Sequence, residues 1–257
     1  MIIDENRRKR MTNYLDDVKK RIRSIELLRM LKKYHSYEEL SKIMGYSKVV
    51  LNRYIRGHVL PASDRAQEII DIAKQNLDVE RLVKDQLVFF KGYFDTTMLL
   101  GNTSLLKLVA QYVADNFKDA RITKIGAVAP EGLPMAVHLA TELGTEIAIA
   151  KRTRDLGVRE FVKVHFPQES TGELLSLNLP KGLLTLDDRV LIIEDSCRTG
   201  TTLEMMVELV EKSMAKIGGI FVLAGMGDKW KPTIKKLKDK FGEKNVYIFC
   251  ELPLDYD

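Results

Sequence analysis

Long hydrophobic runs are missing from this chain. No apolar stretch approaches the roughly 20 residues that span a bilayer, and Met1–Arg10 is polar and basic with no apolar run of the kind found in export signals. A soluble, cytoplasmic protein without a membrane partner is therefore expected. Cysteine is scarce: the only two, Cys197 and Cys250, have no metal-ligand spacing. That speaks for a reducing compartment and against a cysteine metal centre, so no protein-held metal is assigned. Tryptophan occurs once, at position 230. No Gly/Ser-rich or Pro-rich linker interrupts the chain, which excludes a loose tether and favours a stiff, helical join between its parts.

What is present suffices for a core and for more than one domain. Hydrophobic residues make up 45% of a chain of 257, and that length exceeds the usual single domain. Charge is distributed unevenly. Residues 1–75 hold 17 Lys and Arg against 10 Asp and Glu, whereas the remainder holds 24 against 26. The whole net excess of +5 thus belongs to the first third. A basic module on a nearly neutral body suits an anionic polymer as that module's partner.

Within the basic third, residues 1–17 read as a polar, basic arm. Val18, Ile22, Ile25, Leu28 and Leu31 then recur at helical spacing. Ser36 stands three residues before Glu39, a capping box that opens a short helix to Met44. Gly45 supplies a turn, and Ser47 caps a second helix that Gly57 ends. Leu40–Tyr54 reads as a helix-turn-helix with Leu40, Met44, Tyr46, Leu51 and Tyr54 buried and Ser41 allowing close approach. The run through Gly57 and Pro61 resembles the phage-repressor type. In that arrangement the second helix enters the major groove of double-stranded DNA. Its outward residues are Ser47, Lys48, Val49, Asn52, Arg53 and Arg56, with Asn suited to adenine, Arg to guanine, and Lys48 and Arg56 to phosphates or bases. An ordinary solvated helical hairpin is the alternative. One or two charged helices over Asp64–Lys84 follow, and the boundary falls between residues 75 and 90, giving domains of 1–80 and 81–257.

From Phe89 the pattern changes. A helix over Leu105–Asn116 is followed by alternating strands and helices: Ile125–Ala129, Pro134–Leu143, Glu146–Ala150, Val190–Glu194, Thr202–Met214, Gly219–Ala224, Pro232–Phe241 and Val246–Cys250. This alternation implies an α/β, Rossmann-like parallel sheet, with ligands beyond the carboxyl ends of its strands. The most informative stretch is Val190–Thr202, V-L-I-I-E-D-S-C-R-T-G-T-T. A buried strand runs into Glu194 and Asp195, and a loop then opens a helix at Thr199-Gly200-Thr201-Thr202. Hydroxyls and N–H groups there converge on an anion at the positive end of the helix dipole. The carboxylates suit a ribose diol or a bound Mg²⁺. Cys197 reads as a small loop residue rather than a nucleophile.

This stretch resembles the 5-phosphoribosyl-1-pyrophosphate (PRPP) signature of type I phosphoribosyltransferases: a hydrophobic run, two acids, three variable residues and Thr-Gly-x-Thr. The resemblance covers roughly residues 89–250 and implies a role for each strand-end loop. Glu194 and Asp195 would hold the ribose, and Arg198, Thr199, Gly200, Thr201 and Thr202 the 5-phosphate. Pro130, Glu131 and Gly132 would form the pyrophosphate loop, where Glu131 departs from expectation because a carboxylate repels pyrophosphate. Lys151, Arg152 and Arg154 open a segment, to about Ser176, that resembles the flexible loop closing over PRPP. Its cations would neutralise the leaving pyrophosphate, and Lys151, Arg152 and Asp195 are the candidate catalytic residues. A basic surface hairpin is the plainer reading of that segment. Lys229 and Trp230 fall where the family contacts the base, although Trp230 equally suits packing of the last helix.

Phe94–Leu100, F-D-T-T-M-L-L, looks closer to the adenine and xanthine members. Hypoxanthine–guanine members carry a catalytic Asp where this chain has Arg198. A helix-turn-helix joined to such a domain resembles archaeal phosphoribosyltransferase-related transcriptional regulators and is similar in plan to bacterial purine repressors. The resemblance implies a regulator that senses PRPP or a purine nucleotide with Mg²⁺. The other reading is a working purine phosphoribosyltransferase. Paired half-sites imply a homodimer or dimer of dimers.

Overall fold

A computed structural model describes residues 5–90, 93–168 and 173–253. The chain divides into two compact units, Met1–Asp78 and Val79–Asp257.

The first unit is all helical: α1 (Glu5–Tyr34), α2 (Tyr37–Met44), α3 (Lys48–Ile55) and α4 (Ser63–Asn76). Of the stretch expected to be an arm, residues 1–4 lie outside the described residues and the rest, from Glu5, is helical in α1. The helical period of apolar residues begins only where α1 meets a core, at Ile25, Leu27, Leu28 and Leu31; Ile22, expected to be buried, is 43% exposed. Ser36 and Glu39 form the full capping box on α2, and Gly45 ends it in the left-handed conformation with φ +69°. A side chain there would be strained. Ser41 closes the turn, its hydroxyl donating to the Tyr46 carbonyl at 2.6 Å. Leu40, Met44, Leu51 and Tyr54 are buried as expected. Tyr46 is only half-buried and donates its hydroxyl to Glu68.

The second unit opens with α5 (Val79–Lys84), a short hairpin of β1 (Val88–Phe90) and β2 (Tyr93–Asp95), and helices α6 (Thr97–Gly101) and α7 (Thr103–Phe117). Then come β3 (Lys124–Val128), α8 (Leu133–Leu143), β4 (Glu146–Ala150), β5 (Phe161–Gln168), β6 (Glu173–Pro180), β7 (Arg189–Cys197), α9 (Thr201–Lys212), β8 (Lys216–Met226), α10 (Lys231–Phe241) and β9 (Val246–Leu252). Five strands make a parallel sheet in the order β4-β3-β7-β8-β9. Alternate residues of β7 reach opposite layers. Val190 and Ile192 join the core shared with α9, α10, β5 and β6, while Leu191 lies with Phe117 of α7 at Gly219. Both faces are therefore covered, which is why these strands are almost continuously apolar.

The segment after β4 differs from a plain loop. β5 and β6 pair antiparallel from Phe161↔Pro180 to Gln168↔Glu173, and Val164, Leu177 and Leu179 bury their side chains in the core that includes Leu203 and Val207 of α9. The tip of this hairpin, 169–172, lies outside the described residues.

Candidate functional site

The two acids lie within β7, where adjacent side chains leave on opposite sides, and their neighbours differ. Glu194 lies among Thr202, Cys197 and the charge of Arg152. Asp195 is 9% exposed, is bonded by Ser196 and feels the charge of Glu131. Glu194 is half-buried as a residue, but its Oε2 is wholly covered and has no hydrogen-bond partner. Burial, with the neighbouring Asp195 charge second, pushes its carboxyl up to about 8. Burial also raises Asp195, with Glu131 adding to the effect. A sheet that spends folding energy to hold two carboxyls out of water is prepared for a group that donates to them or carries positive charge. Cys197 is buried and its thiol is raised by the same burial and the Glu194 charge, so it is not poised as a nucleophile.

Beyond the acids the chain turns through Arg198 and Thr199, both exposed, into Gly200 at φ +86°. A Cβ on Gly200 would meet Thr233 of α10 at 2.5 Å, so glycine is required for conformation and space together. Thr233 donates to the Thr199 carbonyl at 3.2 Å, and the Thr199 and Thr201 hydroxyls bond each other at 2.9 Å. Gly200 gives α9 no side-chain cap. An uncapped helix N-terminus favours an anion, although here the Thr201 N–H already donates to the Thr199 hydroxyl at 3.4 Å and Thr202 bonds Glu194.

At the neighbouring strand end, Pro130 and Glu131 are exposed and Gly132 is buried. The turn is tight: Gly132 N–H donates to the Val128 carbonyl and Leu133 N–H to the Pro130 carbonyl, each at 3.1 Å. A Cβ on Gly132 would meet the Val128 carbonyl oxygen at 2.8 Å. Two of the N–H groups opening α8 are thus already engaged inside the loop. Glu131 faces Asp195 electrostatically, so its charge adds to the acidic side of the site.

Past β4, Lys151 pairs with Asp155 at 2.7 Å, and Arg152 is exposed. Lys229 is exposed, whereas Trp230 is 3% exposed, with its ring against Gly225 and its Nε1 buried without a partner. In this structure the Trp230 ring packs the core beneath α10.

In the first unit, α3 presents Lys48, Val49 and Arg53, and its C-terminal cap Arg56 as well, to solvent, with Val49 71% exposed. Ser47 uses its hydroxyl to accept the Val50 N–H. Lys48 bonds Glu38 of α2 at 3.1 Å, and Tyr37 donates its hydroxyl to Asn52 Oδ1 at 3.0 Å. Tyr37, Thr233 and Asn178 are neighbours of the candidate residues that the sequence alone does not reveal.

A five-stranded parallel sheet with an acid pair and an anion-facing helix N-terminus at one strand end defines the type I phosphoribosyltransferase class. The chain belongs to the phosphoribosyl transferase domain family, which matches residues 95–257. Among curated relatives it is 27% identical over 159 residues to the purine biosynthesis transcriptional repressor PurR of Bacillus subtilis, covering 62% of this chain and 54% of that protein. It is 32% identical over 132 residues to adenine phosphoribosyltransferase of Maridesulfovibrio salexigens, covering 51% of this chain and 76% of the enzyme. The chain thus spans about half the length of the repressors it matches. Among solved structures, adenine phosphoribosyltransferase of Thermoanaerobacter pseudethanolicus superposes with a TM-score of 0.57 at 18% identity, covering 67% of this chain and 99% of that one. That similarity concerns the fold. Among the described residues no helix is long and apolar enough to cross a membrane.

Proposed function

We propose that this protein is a DNA-binding transcriptional regulator whose phosphoribosyltransferase-like domain senses PRPP or a purine nucleotide. Residues 1–80 would bind double-stranded DNA and residues 81–257 the ligand. The observation that carries this reading is the union, in one chain, of an exposed cationic helix α3 with a site whose acids are held out of water. The similarity to the Bacillus subtilis repressor points the same way. In this reading Ser47, Lys48, Val49, Asn52, Arg53 and Arg56 face DNA, Glu194 and Asp195 hold the ribose diol, and Arg198–Thr202 take the 5-phosphate. Pro130–Gly132, Lys151 and Arg152 face the pyrophosphate, and Lys229 lies nearest the base.

Mg²⁺ would come with PRPP. Such a cation would keep its waters and the ligand's phosphates. The unmet bonding capacity of the buried Glu194 Oε2, once opened to a ligand, and the neighbouring Asp195 would suit that ion or the ribose hydroxyls. The ion would supply charge neutralisation for the phosphates.

A ligand alters DNA affinity only through unequal binding to two states of the protein. A homodimer or dimer of dimers reading paired half-sites is the expected assembly. The second reading, a working purine phosphoribosyltransferase, is favoured by the alignment to 76% of an adenine enzyme. Purine bases with Mg²⁺ and PRPP, assayed for nucleotide, and a promoter fragment, assayed by salt-dependent gel shift with and without PRPP, separate the two. No nucleotide with ligand-sensitive DNA binding supports the sensor. Rapid turnover without specific DNA binding overturns it.

A further inference from the structure

The segment that carries Lys151 and Arg152 leaves the sheet at the end of β4, and a residue of the β5–β6 hairpin holds it. Asn178 of β6 is 2% exposed, one of few buried polar side chains among the described residues of the second unit. Its main chain exchanges both bonds with Lys151, N–H to carbonyl at 2.8 Å one way and 2.9 Å the other. Its side-chain amide then donates to the Lys151 carbonyl at 3.2 Å and the Arg152 carbonyl at 3.0 Å. The main-chain pair would fix Lys151 with any residue at 178. Only the amide reaches Arg152, so the side chain does what the strand ladder does not.

We propose that Asn178 is a positioning residue: it holds the Lys151–Arg152 backbone so that both cations face the pyrophosphate of a bound ligand. The proposal rests on the reading of that site given above. A buried amide aimed at two carbonyls of a turning segment is costly to keep unless its bonds are made, and here both donors are spent on the same two residues. β4, β3 and β7 run parallel in one sheet, so the held segment leaves at the same carboxyl end as the acid pair, and the Arg152 charge there opposes the rise that burial imposes on Glu194. Asparagine fits because it donates. Aspartate has the same shape but would set an oxygen against two carbonyl oxygens, and leucine fills the space without donating.

The test is calorimetric titration of the full chain with Mg²⁺–PRPP and, separately, with ribose 5-phosphate, which lacks the pyrophosphate. For Asn178→Leu and Asn178→Asp the PRPP Kd is expected to rise roughly 10-fold, the worth of one lost charge-positioning bond. The ribose 5-phosphate Kd is expected to stay within about twofold, since the loop at 198–202 is bonded by Thr233 and not by Asn178. Asn178→Ser, which keeps one donor, should fall between; it also serves if the other two unfold. Equal losses for both ligands, or none for either, overturn the proposal while leaving the ligand assignment standing. Wild-type protein that binds neither ligand overturns the parent reading and this one with it.

Discussion

The two regions proposed to meet ligands, α3 and the carboxyl end of β7, are built in opposite ways. On α3 and its cap the charges stand in water: Lys48, Arg53 and Arg56 are exposed, and Lys48 makes a surface bond to Glu38. At the end of β7 the acids are carboxyls partly or wholly out of water, with Glu194 pushed up to about 8 by burial and by Asp195. Exposed cations cost folding almost nothing and act at long range, weakened by salt. Buried carboxyls oppose folding and release that opposition when a complementary group arrives. The first design suits reading a polymer; the second suits registering a small molecule.

The largest expected effect probes the buried side. Glu194 ionises near 4.5 when unfolded and about 8 when folded. Between those values the folded chain keeps a proton that the unfolded chain has lost, so stability falls as pH rises across that window and is level beyond it. Asp195, raised by burial, contributes with the same sign. Glu194→Gln removes this dependence and should stabilise the ligand-free protein at pH 8 by a few kcal/mol at most, since each tenfold difference in proton affinity between the two states is worth about 1.4 kcal/mol. Chemical denaturation at pH 5 and pH 8 checks it: wild type should lose stability between the two, and the variant should lose much less. The same change should weaken PRPP binding, which separates function from stability at one residue.

Next in size is Asp195→Ala. In the proposed role Asp195 would accept ribose hydroxyls or meet the ligand's cation, and its removal should cost about 3 kcal/mol, roughly 100-fold in PRPP affinity. DNA binding by the ligand-free protein should be unaffected, because the change leaves α2 and α3 untouched. Titration with PRPP beside a gel shift tests both halves. Unchanged PRPP affinity would sink the placement of the site.

How much of this contrast is legible in the sequence follows from physics that differs between the regions. The sheet is readable because strands buried on both faces are continuous apolar runs, as in Val190–Ile193, all at most 2% exposed. The start of α1 is hidden because Tyr14 and Leu15 are exposed and give the helix no apolar face there. The β5–β6 hairpin reads as polar although Val162, Val164 and Phe166 alternate with Lys163, His165 and Pro167. Only the former set packs inward, and period two over so few residues is a weak signal beside the charges. The acid pair and threonine loop stand out because their order lies in one strand, loop and helix. Asn178 and Thr233 do not, because they reach Lys151 and Thr199 across 27 and 34 residues of sequence. Trp230 admits two readings in sequence; Gly225, which makes room for its ring, decides how it sits here.

The exposed side should give smaller and more selective effects. Arg53→Ala is expected to cost about 1–3 kcal/mol on a specific site and to relax preference at one base position, with PRPP binding intact. Selection of bound sequences from a random pool by wild type and variant reads this directly. Lys48→Ala should do less and do it differently. Its ammonium is already bonded to Glu38, so DNA must compete with that bond, and the net worth of an exposed pair is about 0–1 kcal/mol. Binding should weaken about equally on all sequences, and the salt slope should fall by roughly one counterion. Glu38→Gln should work in reverse, freeing Lys48 and tightening DNA binding by less than about 1 kcal/mol. If Lys48→Ala instead altered base preference, Lys48 would be a reader rather than a phosphate contact, and the division of labour along α3 would have to be redrawn around it.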